Sequence, residues 1–167
     1  MFELEKTEEI KKLITITKSG SGISGPELAE AHIKLGIEMG NQIEGFTPED
    51  TTIVAMMRGG MFFAEGMYFS MGCKFETYNP KQDKFVRPNT KNVILVDSVI
   101  NTGKTLLKIL DSDMKVACCV INENAVPLFD ESLYTVRVSK NSFVGKNIKK
   151  QEGKNGPDTT MRLFNQI

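Results

Sequence analysis

The chain has 167 residues, a length that suits one domain with a single hydrophobic core. Its 21 basic and 21 acidic side chains cancel, so the formal net charge is zero. Without an overall positive field the chain is a poor binder of nucleic-acid backbones, and we expect no nucleic acid among its partners.

Cysteine usage and hydropathy narrow the class of protein further. Cys73, Cys118 and Cys119 are odd in number and follow no metal-ligand spacing, which predicts reduced core residues in a cytoplasmic protein. No apolar run approaches the roughly 18 residues of a membrane span, and the N-terminus is too acidic for a secretory signal. We therefore expect no membrane partner.

The first predicted elements are two helices. One occupies the N-terminal stretch and ends near Lys18. The second begins after a flexible SGSG break, where Ser24 and Glu27 have the spacing of a capping box and Pro26 suits a first helical turn. Apolar residues at helical spacing continue to an end near Gly40.

Short apolar segments then alternate with helical ones. The predicted strands cover 51–57, 73–78, 92–96, 115–121 and 133–138, and the helices between them cover 61–72 and 103–110. Continuous apolar strands separated by helices predict an α/β fold with a central parallel sheet flanked by helices. Ligands in such folds bind beyond the carboxyl ends of the strands.

Two basic segments interrupt this alternation. Residues 74–91 carry five basic and two acidic side chains and read as a strand leading into a long mobile loop, interrupted by Pro80 and Pro88. Residues 146–154 carry four basic side chains and one acidic one. The alternative interpretation of both segments is a solvated surface.

The stretch VILVDSVINTGKT, residues 93–105, has the composition of an anion site. A Gly-Thr-rich turn between a strand and a helix presents unpaired backbone amides, so residues 101–105 could hold a phosphate. A nucleotide-triphosphate P-loop would need glycine where Ser98 stands. The carboxylate of Asp97 can accept hydrogen bonds from sugar hydroxyls. The pattern therefore favours a ribose held by Asp97 with its 5′-phosphate at 101–105, against the alternative of an ordinary N-capped helix.

These residues resemble the phosphoribosyl-pyrophosphate (PRPP) motif of the type I phosphoribosyltransferases, and the resemblance extends over most of the chain from about residue 24. The segment AMMRGGMFF is similar to the family's pyrophosphate loop, in which an often cis non-proline peptide before glycine presents amides to the leaving group. The resemblance implies a single domain over 1–167, with a core at about 24–140 and a hood formed by about 141–167 together with the N-terminal segment. It also implies a pentosyltransferase that uses PRPP and Mg²⁺ and forms a homo-oligomer, expected to be a dimer.

The resemblance assigns roles to individual positions. A long loop closes over the site in this family, and Lys81, Lys84 and Arg87 are the candidates to reach the pyrophosphate. The catalytic residues so implied are Arg58, Asp97, Lys84 and Arg87. Mg²⁺ would arrive with PRPP and could contact Asp97. The implied substrate-binding residues are Arg58, Gly59, Gly60, Asp97, Ser98, Asn101, Thr102, Gly103, Lys104, Thr105, Asp158 and Arg162.

The C-terminal GPDTTMRLFNQI is similar to the end of the uracil phosphoribosyltransferases. Asp158, Arg162 and Phe164 match the pattern of the hood that recognises the pyrimidine, whereas Thr160 and Met161 depart from it. The alternative interpretation is a tail that packs apolar side chains on the core.

The residue before Thr102 also indicates which nucleobase is the acceptor. The 6-oxopurine enzymes place an aspartate there, and Asn101 cannot act as an acid or base near neutral pH. The implied acceptor is therefore uracil. The alternatives are a 6-oxopurine acceptor and a PRPP-sensing regulator without catalysis. His32, the only histidine, is expected to be structural or on the surface, away from these motifs.

Overall fold

The computed structural model describes residues 1–143 and 156–167, so the whole basic run at 146–154 lies outside the described residues. The helices are α1 (Glu8–Thr17), α2 (Pro26–Gln42), α3 (Met61–Met71), α4 (Lys104–Leu107) and α5 (Thr159–Leu163). The strands are β1 (Phe2–Glu3), β2 (Thr51–Met56), β3 (Lys74–Tyr78), β4 (Asn92–Ile100), β5 (Lys115–Asn122) and β6 (Leu133–Ser139). Short 3-10 turns cover Ser19–Ser21, Glu123–Leu128 and Asp130–Ser132.

The six strands form one parallel sheet in the order β1-β6-β5-β4-β2-β3. Helices cover it, which confirms the predicted α/β fold with a central parallel sheet. β4 lies in the middle of the sheet, between β2 and β5. Its carboxyl end is therefore surrounded by the loops that follow the neighbouring strands.

Alternate residues of the strands enter two separate cores. Ile53, Ile94 and Val96 pack with helices α1 to α3, whereas Val54 and Leu95 face the layer that contains α4. Burial on both faces explains why β2, β5 and the first half of β4 read as nearly unbroken apolar runs.

Helices α2 and α3 approach each other closely because glycines face each other at the contact. A Cβ atom at Gly36 would lie 2.1 Å from the carbonyl oxygen of Phe63, and one at Gly66 would lie 2.0 Å from that of Ile33. Larger residues at either position would push the helices apart. The close contact fixes α2 against α3, the helix that follows the loop after β2.

Several sequence-based bounds were wrong. β1 is an edge strand inside the stretch expected to be helical, and it pairs with Tyr134 and Thr135. β4 runs to Ile100 rather than ending at 96, because its pairing with β5 continues to the end of the strand. α4 is correspondingly short.

The predicted capping box of α2 was also wrong. Gly25 is the N-cap, at φ +66°, and no side chain caps the helix. The hydroxyl of Ser24 instead donates to Oδ1 of Asn165 at 3.5 Å. Pro26 occupies the first turn as expected. Among the described residues no helix combines the length and apolar character that crossing a membrane requires.

Candidate functional site

A cavity of about 530 Å³ opens at the carboxyl ends of β2 and β4. Its walls come from four segments: residues 56–59 after β2, 79–82 after β3, 97–99 of β4, and 158–161 around the start of α5. Asn101, Thr105 and Phe143 complete the lining. This is the position at which parallel α/β sheets bind ligands.

A second cavity of about 230 Å³ adjoins the first and is lined by Asp97 and residues 99–106. Asp97, Val99, Asn101 and Thr105 line both cavities. The structure therefore brings the predicted ribose-binding carboxylate and the predicted phosphate-binding turn to one continuous space.

The turn at 101–105 has the backbone geometry of an anion cradle. Gly103 lies at φ +70° and precedes the first turn of α4, and a Cβ atom there would lie 2.8 Å from the ring of Phe129. Glycine is therefore required at this position. Within the described part of the chain, the backbone amides of Gly103, Lys104 and Thr105 have no hydrogen-bond acceptor. Unpaired amides of this kind attract an anion.

Asn101 holds the edge of the cavity. Its Oδ1 accepts a hydrogen bond from the backbone amide of Phe143 at 3.0 Å and another from the Ser142 hydroxyl at 3.5 Å. The carboxamide oxygen is thus engaged in fixing the segment after β6, so Asn101 shapes the cavity as well as lining it.

Asp97 lies at the boundary between the two cavities. Burial raises the pKa of its carboxyl to about 7, and hydrogen bonds from the backbone amides of Ser98 and Val99 oppose this rise. Oδ1 accepts from the Ser98 amide at 2.7 Å. A half-buried carboxylate with unused lone pairs is suited to accept hydrogen bonds from ligand hydroxyls.

Ser98 points away from Asp97, into the core between the sheet and α2. Its hydroxyl lies 2.9 Å from Nε2 of His32, which is 1% exposed. Burial lowers the pKa of His32 to about 4. The expectation that this histidine lies far from the motifs was therefore wrong, because it bonds a residue inside one of them. Only the topology, which places α2 on this face of β4, brings the two together.

The loop after β2 contains a cis peptide bond between Met57 and Arg58, matching the geometry that the resemblance implies. A Cβ atom at Gly60 would lie 2.3 Å from the carbonyl oxygen of Val96, so this position has no room for a side chain. Gly59 faces Asp97 and Thr160: a Cβ atom there would lie 3.4 Å from Asp97 Oδ1.

Arg58 is exposed and is held by the C-terminal residues. Its guanidinium carbon lies 4.7 Å from the centre of the Phe164 ring, and Nη2 donates to Gln166 Oε1 at 2.8 Å. This contact keeps a positive charge at the mouth of the larger cavity.

The three basic candidates of the 74–91 segment lie in different places. Lys81 lines the larger cavity, within a turn in which its amide donates to Asn79 Oδ1 at 3.1 Å. Lys84 lines neither this cavity nor the adjoining cavity of about 230 Å³. Arg87 pairs with Asp113 at 2.7 Å and with Asp111 at 3.7 Å, away from both. The structure thus does not place Lys84 and Arg87 at the candidate site, because both lie on the surface beside the segment that follows α4.

The two C-terminal candidates also separate. Asp158 lines the larger cavity and caps α5, its carboxylate accepting from the Met161 amide at 3.1 Å. Arg162 is 2% exposed and points away from the cavity. Its guanidinium donates to the carbonyl oxygens of Thr17, Lys18 and Ile23 at 3.2, 3.2 and 2.9 Å. Arg162 therefore joins the C-terminal helix to the N-terminal segment, and its donors are engaged there.

Phe143 is a lining residue that sequence reasoning missed. It is 4% exposed and is the only aromatic residue among the described residues that line the larger cavity. No motif surrounds it, and it lies in irregular structure after β6. The hydrogen bond from its amide to Asn101 is what brings it to the site.

The described residues contain no cluster of three acidic, histidine or cysteine side chains that could hold a resident metal ion. Mg²⁺ carried in by a diphosphate substrate needs only one or two protein carboxylates, since phosphate oxygens and water supply the other ligands. Asp97 and Asp158 line the same cavity, so this donor set fits Mg²⁺ bound in that manner.

The sequence matches no family model, and no curated protein shows significant sequence similarity to it. Solved structures do share its architecture. AQ2163 protein from Aquifex aeolicus superposes with a TM-score of 0.66 at 16% identity, covering 83% of this chain and 88% of that one. TT1426 from Thermus thermophilus superposes with a TM-score of 0.53 at 13% identity, covering 68% and 86%.

A hypoxanthine-guanine-xanthine phosphoribosyltransferase superposes with a TM-score of 0.51 at 17% identity, covering 66% of this chain and 75% of that one. At these identities the comparisons show the fold. That fold is the one of the type I phosphoribosyltransferases, with the parallel six-stranded sheet and flanking helices described above.

Proposed function

We propose that this protein is a phosphoribosyltransferase, a pentosyltransferase that moves ribose 5-phosphate from PRPP to a nucleobase and releases pyrophosphate. The observation that carries the proposal is the position of Asp97 between two joined cavities, one lined by the amide-rich turn and the other by the Arg58-Gly59 loop. A sugar phosphate with a second anionic group at C1 matches this sequence of subsites.

Each subsite has a defined task in the proposal. The turn at 101–105 binds the 5′-phosphate, and Asp97 accepts hydrogen bonds from the ribose hydroxyls. Arg58, the Gly59 amide and Lys81 lie where the diphosphate would leave, and their positive character opposes the negative charge that builds up there. Mg²⁺, when bound with the substrate, neutralises part of the diphosphate charge.

The chain contributes positioning and electrostatics rather than a covalent step. As the bond from C1 to the diphosphate breaks, the sugar carbon becomes positive and the attacking nitrogen of the base must already lie beside it. The rim formed by residues 79–82 and 158–161 would limit access of water to that carbon.

Uracil is the proposed acceptor. The support is the non-acidic Asn101 before Thr102, whose carboxamide oxygen is occupied by Phe143 and Ser142, together with Asp158 at the cavity. Phe143 adds an apolar side chain to the wall of this cavity. The position of Arg162 weakens the similarity to the uracil enzymes, since its guanidinium is engaged elsewhere.

The proposed partners are PRPP, a nucleobase and a second copy of the chain in a dimer. A dimer has a candidate surface at α3 and the edge strand β3, where Tyr68 and Phe69 are 39% and 57% exposed and Tyr68 packs on Phe75. Large exposed aromatic side chains of this kind are typical of interaction surfaces.

The test is incubation of the purified protein with radiolabelled PRPP, Mg²⁺ and each nucleobase separately. We expect labelled UMP with uracil. Product with hypoxanthine or guanine alone would replace uracil by a 6-oxopurine. PRPP binding measured by calorimetry without product from any base would support the PRPP-sensing regulator. The absence of both PRPP binding and product would overturn the proposal.

Asp97→Asn provides the matching variant. Replacing a carboxylate that accepts two or more ligand hydrogen bonds should weaken PRPP binding by about 10- to 100-fold, while the fold is retained. Asp50→Asn is the control, because Asp50 is an exposed carboxylate at the opposite, amino end of β2. Equal affinities in the two variants would remove Asp97 from the ribose subsite.

A further inference from the structure

A third cavity, of about 560 Å³, lies on the other side of Phe143. Its walls come from the end of α1 with the turn at Ser19–Ser21 and from the end of β6 with the segment that follows. Phe143 is the only described residue that lines both this cavity and the 530 Å³ cavity. The chemistry of the lining differs from that of the proposed active site, so it requires its own explanation.

Arg137 is the central polar residue of this third cavity. It is half-buried, and its buried Nε has no hydrogen-bond partner. Among the described residues, Arg137 forms no ion pair and its guanidinium donates no hydrogen bond. Its guanidinium carbon lies 5.6 Å from the centre of the Phe143 ring.

A partly buried guanidinium without a partner among the described residues is unusual in a folded protein. Burial lowers the pKa of Arg137, the direction expected when a charged group loses water without gaining an anion. Buried donors are normally satisfied, and a buried charge normally has a partner. The planar guanidinium fork matches the two oxygens of a carboxylate or phosphate group.

The rest of the lining favours an anion as that partner. Lys18 adds a second positive side chain, Ser19 and Ser139 add hydroxyl groups, and no described residue lining this cavity is acidic. The amides of Ser19 and Gly20 have no acceptor within the described part of the chain. Several donors therefore converge on one space without an acceptor among the described residues.

The wall formed by the Ser19–Ser21 turn is held in place by the C-terminal helix. Arg162 Nη2 donates to the carbonyl oxygen of Lys18 at 3.2 Å and lies 3.4 Å from Ser21 Oγ, which also donates to Ile16 at 2.8 Å. The turn is thus fixed before any ligand arrives, which lowers the entropic cost of binding.

We propose that this third cavity is a binding site for a small molecule that carries a carboxylate or phosphate group, with Arg137 as the main contact. The anion would bind the Arg137 fork, with Lys18, the Ser19 hydroxyl and the Ser19–Gly20 amides around it. A volume of about 560 Å³ accommodates a molecule larger than the anion itself. This proposal does not rest on the transferase function, because its polar contacts, Arg137, Lys18 and the Ser19–Gly20 amides, lie outside the proposed active site.

The test uses ¹⁵N-labelled full-length protein and nuclear magnetic resonance. Inorganic phosphate and succinate are titrated separately while the Arg137 Nε–H signal, assigned by its loss in Arg137→Lys, is followed with the amide signals of Ser19 and Gly20. We expect a saturable shift of these signals with phosphate, with succinate or with both, and the effective probe identifies the anion. The amide signal of Gly103 reports separately on the phosphate-binding turn of the proposed active site.

Two variants test the role of Arg137 in that binding. Arg137→Gln should weaken the anion-dependent shifts of Ser19 and Gly20 about tenfold or more, as expected for loss of a charged, forked contact. Lys108→Gln removes one positive charge from a different surface and should leave them unchanged. The proposal is overturned if neither probe shifts the Arg137 signal at millimolar concentration, or if Arg137→Gln binds as tightly as the wild type.

Discussion

The Nε2 atom of His32 on α2 lies 2.9 Å from the hydroxyl oxygen of Ser98 on β4. The other ring nitrogen, Nδ1, lies 2.9 Å from the carbonyl oxygen of Leu28. Because a carbonyl oxygen only accepts, Nδ1 carries the proton and Nε2 accepts from the Ser98 hydroxyl. A neutral histidine thus ties α2 to the strand residue next to Asp97.

A double-mutant cycle should show this connection as a coupling energy. His32→Leu and Ser98→Ala each leave a buried polar partner unsatisfied, so each should lower the free energy of unfolding by about 1–3 kcal/mol. The double variant should lose about 1 kcal/mol less than the sum of the two, measured by urea denaturation.

A neighbouring hydroxyl provides the control for that cycle. Thr52 on β2 is buried and bonds Thr90 at 2.8 Å rather than His32. Thr52→Val combined with His32→Leu should be additive within about 0.5 kcal/mol. If the effects of His32→Leu and Ser98→Ala were also additive, the hydrogen bond between His32 and Ser98 would have no energetic role.

The pH dependence of stability should reveal two opposing groups. Burial lowers the pKa of His32 from 6.5 to about 4, so the unfolded chain binds more protons across that window and stability rises with pH. Burial raises the pKa of Asp97 from 3.8 to about 7, so the folded chain binds more protons and stability falls as pH rises. In the wild type these effects oppose each other between about pH 4 and 6.5.

Single variants should separate the two effects. Relative to the wild type, Asp97→Asn should gain stability more steeply as pH rises from 4 to 6.5, and His32→Leu should gain less or lose stability over the same range. Urea midpoints measured at half-unit pH intervals, without Mg²⁺, would check this. Identical pH profiles for the two variants would contradict it.

Replacement of Arg162 should act on stability rather than on base selection. Arg162→Gln leaves the carbonyl oxygens of Thr17, Lys18 and Ile23 without their buried charged donor, and we expect a loss of about 3 kcal/mol or more. Arg87→Gln is the matched control, since it breaks a more exposed pair with Asp113 worth about 0–1 kcal/mol. Thermal or urea unfolding distinguishes the two; equal losses would contradict a structural role for Arg162.

The lysines of the basic segment should differ in their effect on the diphosphate. Lys81 lines the larger cavity and Lys84 does not. Lys81→Ala should therefore weaken pyrophosphate binding by about tenfold, the loss expected for one charge-assisted contact, while Lys84→Ala should bind like the wild type. Calorimetric titration with pyrophosphate and Mg²⁺ would check this, and a larger effect of Lys84→Ala would reverse the assignment.

Much of the fold follows from local patterns. Apolar runs such as 115–121 have no polar face, so they predict strands buried on both sides, and the parallel sheet is the arrangement that buries them. The position of Asp97 and the 101–105 turn at one edge of the sheet follows from the same topology.

The sequence did not predict the position of a side chain where contacts with distant segments determine it. Arg162 matched a sequence pattern for base recognition, but its guanidinium meets three carbonyl oxygens about 140 residues earlier in the chain. His32 reaches Ser98 across 66 positions, and Phe143 reaches the cavity through Asn101. Spacing within a segment carries no information on such contacts, which depend on how the helices and the C-terminal residues pack.

Helix α5 has only five residues, yet it contributes to the walls of two separate cavities. Residues 158–161 line the 530 Å³ cavity, and Arg162 holds the Ser19–Ser21 turn that lines the 560 Å³ cavity. A rotation of this single turn of helix would widen one space and deform the wall of the other at the same time. The position of this short helix therefore affects the shape of both cavities.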